Sequence, residues 1–552
     1  MTTPSTAFGD TDQPLTVEFG PLEQRGILLG ISAPSLVAIT ATVPLALLLL
    51  FTAGGTFGVL AAIVCLGVGL AFALVQVAGA TAAEWAVILT GYLARAATGR
   101  TRWRSTSPTV GLALAPTPVP VGGAVGRARR SAPRNLAGSR HRGPVVDLPA
   151  DLARAKTRVM EVEWGDSRAG IIIDGPLAIG VLRARSAGAF LMMEPGDQAA
   201  VTAHWAELIG SVADAGSPWV RLQWIDTTTP VDDGALTRFV ADAMCPAARV
   251  PGTPQHTARA SYERLLHRAA PATETHDVLI ALAMDPRRVT RQVKDAGGGD
   301  RGLAKVCARG LEQVAYKLAG GDILVDGILS ARQVGQILRQ HVDPSEHLYQ
   351  SALTAGTEST SDADASPYDA AAGADAGFDP VSAWTLAGDE SFGTHRTDGA
   401  VHTTLWVKEW PRRPSRVDFL APLLLRTGSI TRSISVVMAP VDATSAMRAA
   451  EGAATADESD NVLRERFGMR TSSRRRRENE MAHRREEELV DGYDDVRFSA
   501  YITVTAPTTA ALEEAVADVH AQARAARLRL LRLAGQQAEA LWYTAPLCRG
   551  VR

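Results

Sequence analysis

The sequence predicts an α-helical transmembrane hairpin joined to an α+β body. Three observations predict it. Two uncharged apolar runs, residues 27–51 and 57–77, are separated only by Thr52-Ala53-Gly54-Gly55-Thr56. Ten arginines and no acidic residue follow between Glu84 and Asp147. Beyond them, strand-like alternation and helix-like spacing take turns through the rest of the 552 residues.

Either run is long enough to cross a hydrocarbon core, which needs about 20 helical residues. The short loop forces the pair antiparallel. A cleaved leader needs a basic start and a shorter apolar core. Here the first 24 residues carry Asp10, Asp12, Glu18 and Glu23 but no Lys or Arg. A helical hairpin buried in a soluble domain is the remaining alternative. Basic residues just past a span stay cytoplasmic. The body is therefore expected inside, and with two spans the N-terminus too, in a multi-pass protein of the cell (inner) membrane. Pro34 and Pro44 are tolerable in a span, where neighbouring groups satisfy the freed backbone.

After the second run, Trp85 and Tyr92 suit the headgroup layer, with Arg95, Arg100, Arg102 and Arg104 beyond. These six are the expected membrane-interface residues, on an interfacial helix leading out of the bilayer. The arginines also suit anionic lipid head groups. Direct nucleic-acid contact is not expected, because the tract adjoins the bilayer and only Trp103 interleaves it.

The net charge of −2 hides a basic neck and a mixed-charge body. Cys65, Cys245, Cys307 and Cys548 are scattered, which supports neither a zinc knuckle nor a disulfide scaffold and fits a reducing compartment. The expected organisation is a tail (1–25), the hairpin (26–80), the interfacial helix (81–104) and a Pro/Gly/Arg-rich linker (105–145). A first α+β module (146–345), a flexible acidic linker (346–382) and a second module (383–552) complete it.

In the first module, residues 168–173, 178–183 and 189–193 read as strands and 198–213 as a helix. Val220, Leu222 and Trp224 alternate with polar neighbours as a half-buried strand. Helical character runs from 233 to 269, and 277–283 is an apolar strand. Leu303, Cys307, Leu311, Val314 and Leu318 share one helix face, because spacings of three and four align side chains. A short strand follows at 323–325. The second module reads as strand 403–410, helix 414–425, strand 430–438, a charged insertion at 444–489, strand 497–505, a helix striped by Leu512, Val516, Val519 and Ala523, and strand 528–533. Both halves thus give strand–helix–strand, insertion, strand–helix–strand. That order is the split βαβ, or ferredoxin-like, sandwich with helices on one sheet face. Its repetition implies a duplication, with a single less regular α+β domain as the alternative.

Catalytic signatures do not assemble. The nearest approach to a phosphate loop, from Gly297 to Lys305, misplaces the lysine and lacks the following Ser or Thr. His341 and His347 lie near Asp343 and Glu346 without a further close ligand. A nucleophile elbow is absent, and Trp164-Gly165-Asp166 is a tight-turn candidate. No cofactor, metal or enzymatic activity is expected. In the insertion, Arg474, Arg475, Arg476 and Arg477 precede a run of Glu and Arg. The pattern reads as a projecting charged helical hairpin or as an arm that docks a partner protein. The adjacent glutamates disfavour DNA contact.

Several segments carry a resemblance. They are the tandem spans followed by Glu84-Trp85 and Tyr92-Leu93-Ala94-Arg95, then Trp410-Pro411-Arg412-Arg413-Pro414. The Arg-rich insertion before Arg497-Phe498-Ser499-Ala500-Tyr501, and the ending Gln536-Gln537 to Leu541 with Ala545-Pro546-Leu547, belong with them. Together they resemble an actinobacterial family of conjugation-associated membrane proteins found beside type IV secretion-like genes. In that family a PrgI-like hairpin is joined to a body resembling the N-terminal, non-ATPase half of the secretion ATPase. The resemblance spans nearly the whole chain. It implies a scaffold whose partners are a separate secretion ATPase and other membrane subunits of the complex. Two alternatives stay open: a type VII (ESX-like) secretion component of EccE type, and a membrane-tethered enzyme, since a ferredoxin-like fold does not fix function.

Overall fold

The computed structural model describes residues 16–17, 19, 33–77, 80–104, 150–165, 167–186, 193–214, 216–230, 254–269, 274–321, 323–344, 387–411, 413–425, 430–441, 445–448, 452, 487 and 495–551. The expected linkers, most of the insertion and Arg474, Arg475, Arg476 and Arg477 lie outside them.

A short strand β1 (Thr16–Val17) precedes helices α1 (Ala33–Ala53) and α2 (Gly55–Leu74). Both helices are long and apolar enough to cross a membrane. Their large apolar side chains point outward, with Phe51 81 % and Phe57 74 % exposed, an arrangement that water disfavours. Gly54 alone joins them, with φ +58°. Gly69 lets the helices close, because a Cβ there would lie 2.2 Å from Thr42 Cγ2. A two-strand turn, β2 (Gln76–Val77) with β3 (Ala80–Thr81), leads to α3 (Ala82–Ala97) and then β4 (Arg102–Arg104). The helix expected over 81–104 thus ends at Ala97, and Arg102–Arg104 is a strand instead.

The first half of the body comprises α4 (Ala150–Ala155), β5 (Arg158–Trp164), β6 (Ser167–Asp174), β7 (Leu177–Ser186), α5 (Pro195–Ala213), β8 (Trp219–Pro230), α6 (Pro254–Ala269), β9 (Glu274–Met284), α7 (Thr290–Asp295), α8 (Gly299–Ala319), β10 (Ile323–Ile328) and α9 (Ala331–Val342). The second comprises β11 (Ala387–Glu390), β12 (His395–Arg396), β13 (Val401–Glu409), β14 (Ser415–Arg416), α10 (Ala421–Leu424), β15 (Thr431–Val441), β16 (Asp495–Ala506), α11 (Thr509–Ala525), β17 (Arg529–Arg532) and α12 (Gln537–Ala540).

The two halves form one continuous antiparallel sheet of 13 strands among the described residues. Its path runs β4-β11-β12-β13-β16-β15-β8-β9-β7-β6-β5, with β10 beside β7 and β17 beside β13. The seam is the β8–β15 pair, in register from Leu222↔Met438 to Thr228↔Arg432. On one face, α5 and α8 cover the first half through Leu208, Val212, Leu303 and Leu311, against Leu182, Ile280 and Leu282. There α11 covers the second half through Leu512, Val516 and Val519.

The reverse face departs from the expectation of helices on one side only. It is closed by α4, α9 and the irregular C-terminal segment, which bring Leu152, Val334, Leu338, Trp542, Ala545, Leu547 and Cys548 against Ile172, Ile179, Ile225 and Leu279. The physical reason lies in the strands. Ile171, Ile172 and Ile173 are all buried, and neighbours along a strand face opposite sides, so both faces need a cover.

Two further expectations are corrected. Residues 414–425 are not one helix. Ser415–Arg416 pairs as a strand, turns follow through Phe419 N–H to Arg416 O (3.1 Å) and Ala421 N–H to Asp418 O (2.8 Å), and one helical turn remains. The helical reading of 233–269 holds over Pro254–Ala269, and residues 231–253 lie outside the described part.

Candidate functional site

The neck joint is the place where the apolar helices meet the sheet. Thr81 caps α3: its side chain accepts from Glu84 N–H (3.3 Å), and Glu84 Oε2 accepts from Thr81 N–H (2.8 Å). Thr81 Oγ1 also lies 3.0 Å from Ser35 Oγ, tying the start of α1 to the start of α3. Along α3, Trp85, Ile88, Tyr92 and Arg95 face the body, at the three- and four-residue spacing that aligns side chains.

Trp85 and Tyr92 pack on Phe392, with ring centroids 6.1 and 5.4 Å away. The Tyr92 hydroxyl donates to Glu390 O (3.4 Å). Arg95 donates to Gly535 O and pairs with the Glu390 carboxylate at 3.6 Å. Gly535, at φ +69°, allows the close approach, since a Cβ would sit 3.2–3.3 Å from Ile88, Phe392 and Tyr92. Burial holds the Glu390 carboxyl above the usual carboxylate range, and it outweighs the opposing pull of Arg95 and of the Ala538 and Gln537 N–H groups. Downstream, β4 pairs with β11, and Arg102 reaches Asp389 at 3.5 Å.

The structure therefore gathers Trp85, Tyr92 and Arg95 against the body. Arg100, Arg102 and Arg104 stand exposed on the neck, as do Val87, Leu89 and Leu93 on the far side of α3. Glu390, Phe392 and Gly535 complete the joint and were not singled out in the sequence. They lie roughly 300 to 440 residues from their α3 partners, and no local pattern marks them.

A second polar network lies on the reverse side. Gln223 Nε2, which carries two N–H groups, lies within hydrogen-bond distance of Tyr543 O (3.0 Å), Ala545 O (3.0 Å) and Ser435 Oγ (2.8 Å), and Gln223 Oε1 accepts from Cys548 N–H (2.7 Å). His402 bridges the Thr397 and Thr505 hydroxyls at 2.7 and 2.9 Å. His341 Nε2 donates to Leu541 O (2.8 Å). Burial pushes His341 and His402 below their ordinary value, and His395 down to about 4. His341 is thus a strap for the C-terminal segment. Asp343 pairs with Arg339 (3.4 Å), which also holds Asp398 (2.5 Å). His347 and Glu346 lie outside the described residues.

At the seam, Asp226 accepts from His276 Nδ1 (3.1 Å), and Arg432 pairs with Glu274 (3.2 Å). The Asp226 hydrogen bond raises His276 above its ordinary value. Among the described residues no group of three or more His, Cys, Asp and Glu is arranged to hold a metal ion. A shallow depression of about 360 Å³ is bounded by Arg154, Ala155, Glu539 and Arg549.

No protein-family model matches the chain, and no curated protein matches it.

Proposed function

We propose that this chain is a non-catalytic scaffold subunit of an inner-membrane, type IV secretion-like (conjugative) translocation complex, one that docks a separate ATPase. The observation that carries the reading is mechanical continuity. Helix α2 leads through α3 into β4, which is itself an edge strand of the 13-stranded sheet. The body and the two apolar helices are thereby joined by a covalent path that enters the sheet through the β4–β11 pairing.

Further features support the finer parts of the reading. Strand orders β10-β7-β9-β8 and β17-β13-β16-β15 follow the 4-1-3-2 arrangement of split βαβ modules, which supports two ferredoxin-like units. The equivalent strands β8 and β15 pair antiparallel, as two copies about a local two-fold axis would. Pairing of β1 with β14 keeps the N-terminal segment beside the body, which supports a membrane hairpin with both termini on the cytoplasmic side. The exposed Arg100, Arg102 and Arg104 suit anionic lipid, and the arginines 474–477 suit partner docking.

Affinity purification in mild detergent, with mass spectrometry of the partners, tests the reading. The expected result is co-purification of a hexameric ATPase and membrane subunits, with no ATP turnover by the isolated chain. ATP hydrolysis that survives removal of contaminants overturns it. Partners of a WxG-secreting type VII system move the chain to the other secretion class.

A further inference from the structure

Helix α3 has two unlike faces. One, with Trp85, Ile88, Tyr92 and Arg95, is turned to the body. The opposite face carries Val87, Leu89, Thr90, Leu93, Ala94 and Ala97, all exposed, and Val87, Leu89 and Leu93 are the large apolar side chains among them. It carries no charge. The two charged residues of α3 are Glu84, which caps the helix's own start, and Arg95, which pairs with Glu390. Thr90 brings the one hydroxyl, and it donates to Ala86 O (2.8 Å) instead of pointing to solvent. A helix face in water is ordinarily polar or charged. One that stays apolar from Val87 to Ala97 is an interaction surface.

The position of the helix says what covers that face. Thr81 Oγ1 lies 3.0 Å from Ser35 Oγ and Ala83 is buried, so α3 begins level with the start of α1 and packed against the apolar helices. Large side chains of those helices, Phe57, Leu60 and Ile63 among them, are exposed as well. Past the other end of α3, Arg100, Arg102 and Arg104 stand exposed. We propose that the Val87, Leu89 and Leu93 face of α3 lies in the lipid headgroup layer, so that the helix is sandwiched between bilayer and body and holds the body against the membrane surface. The proposal rests on the reading of α1 and α2 as membrane spans. It turns the helix over relative to the sequence expectation: the rings of Trp85 and Tyr92 are taken by Phe392, and the aliphatic side chains opposite them take the lipid. A helix of this kind lies in the plane of the interface with its apolar face about 5–10 Å deep. Lipid is favoured over a partner helix because the hairpin already sets a bilayer beside α3, and because the three exposed arginines at its end match anionic head groups.

Quenching of site-attached fluorophores in the full-length chain provides the test. Cys65 and Cys245 are replaced by Ser, and Cys307 and Cys548 are buried, so a thiol-reactive dye enters at an added cysteine. Val87→Cys, Leu89→Cys and Leu93→Cys probe the face. Val64→Cys, on α2, is the lipid reference, and Glu312→Cys, exposed on α8, is the water reference. Each chain is reconstituted in vesicles of phosphatidylcholine and phosphatidylglycerol, and the quencher is either a nitroxide-bearing lipid or aqueous iodide. A nitroxide near the head group is expected to dim the three α3 labels while iodide leaves them bright, and the Glu312→Cys label should show the reverse. Adding Leu89→Glu and Leu93→Glu to the Val87→Cys chain should abolish the dimming by lipid, and dimming that persists overturns the proposal. Labels on α3 as open to iodide as the Glu312→Cys label overturn it and leave the spans standing. Labels shielded from both quenchers mean that protein covers the face, which overturns it equally. If a nitroxide near the chain end fails to dim the Val64→Cys label, the spans themselves are overturned, and the proposal with them.

Discussion

The reverse face of the sheet and the neck both join segments far apart in sequence, yet they are built in opposite ways. On the reverse face, Trp542, Leu547 and Cys548 are almost wholly buried, and one amide, Gln223, holds three backbone groups of the C-terminal segment and lies within hydrogen-bond distance of Ser435 besides. At the neck, half-buried aromatics and one ion pair join α3 to the body, and the Arg95 side chain remains 37 % exposed. Buried apolar area and satisfied buried polar groups dominate stability, whereas partly exposed ion pairs contribute little. The C-terminal segment therefore adds to the β8–β15 seam in making the two halves one body, while the neck is a lighter coupling.

The largest effect is expected at Trp542. Replacing it with Ala opens a cavity between both halves and costs about 3–5 kcal/mol. In a calorimetric scan of the detergent-solubilised chain, the body transition drops or splits in two. An unchanged transition would break the comparison. Gln223→Leu comes next. It strands the Tyr543 and Ala545 carbonyls and the Cys548 N–H, and costs about 1–3 kcal/mol in the same measurement.

The buried histidines give a third, pH-dependent effect. An unfolded chain protonates them near 6.5, whereas the folded body holds His341 and His402 lower and His395 at about 4. Their contribution is complete above 6.5 and is lost as pH falls toward the lowered folded values. The melting temperature should therefore decline from pH 7.5 to 5.5, and His402→Gln should flatten the decline. His276 has the opposite sign. Its value is raised by Asp226, so its contribution is complete below 6.5 and is lost as pH rises through the raised value.

The smallest effect on the body is expected from Arg95→Ala. It removes a cation that is 37 % exposed from a carboxyl that is itself buried. Burial already raises that carboxyl's hold on a proton, so it takes one up instead of standing as an unpaired charge, and the cost stays at about 1 kcal/mol. The body transition should hardly move, while limited proteolysis within residues 81–104 should accelerate. A body transition lowered as far as in Trp542→Ala would mean that the neck is structural after all.

Much of the fold was legible from local pattern. The two apolar helices, the Gly54–Gly55 tip and the 299–319 helix follow from runs and spacings within one element. Helix α9 was missed although its signals are local, namely the Ser330–Gln333 capping box and the Val334, Leu338, Val342 stripe. Strand β5 lies outside the sequence expectation although Met160, Val162 and Trp164 alternate with Glu161 and Glu163. The joint of Arg95, Glu390, Phe392 and Gly535 carried no such signal.

What the sequence determined by itself is whatever depends on neighbours within a few positions: hydrophobic length, helix faces, strand alternation and the arginine bias of the neck. Only the tertiary structure decided that the two halves share one sheet, that an irregular tail closes its reverse face, and that α3 turns its aromatics to the body. Those outcomes are set by burial of whole surfaces against segments hundreds of residues away. That energy belongs to pairs of faces, and one stretch of sequence contains only one member of each pair.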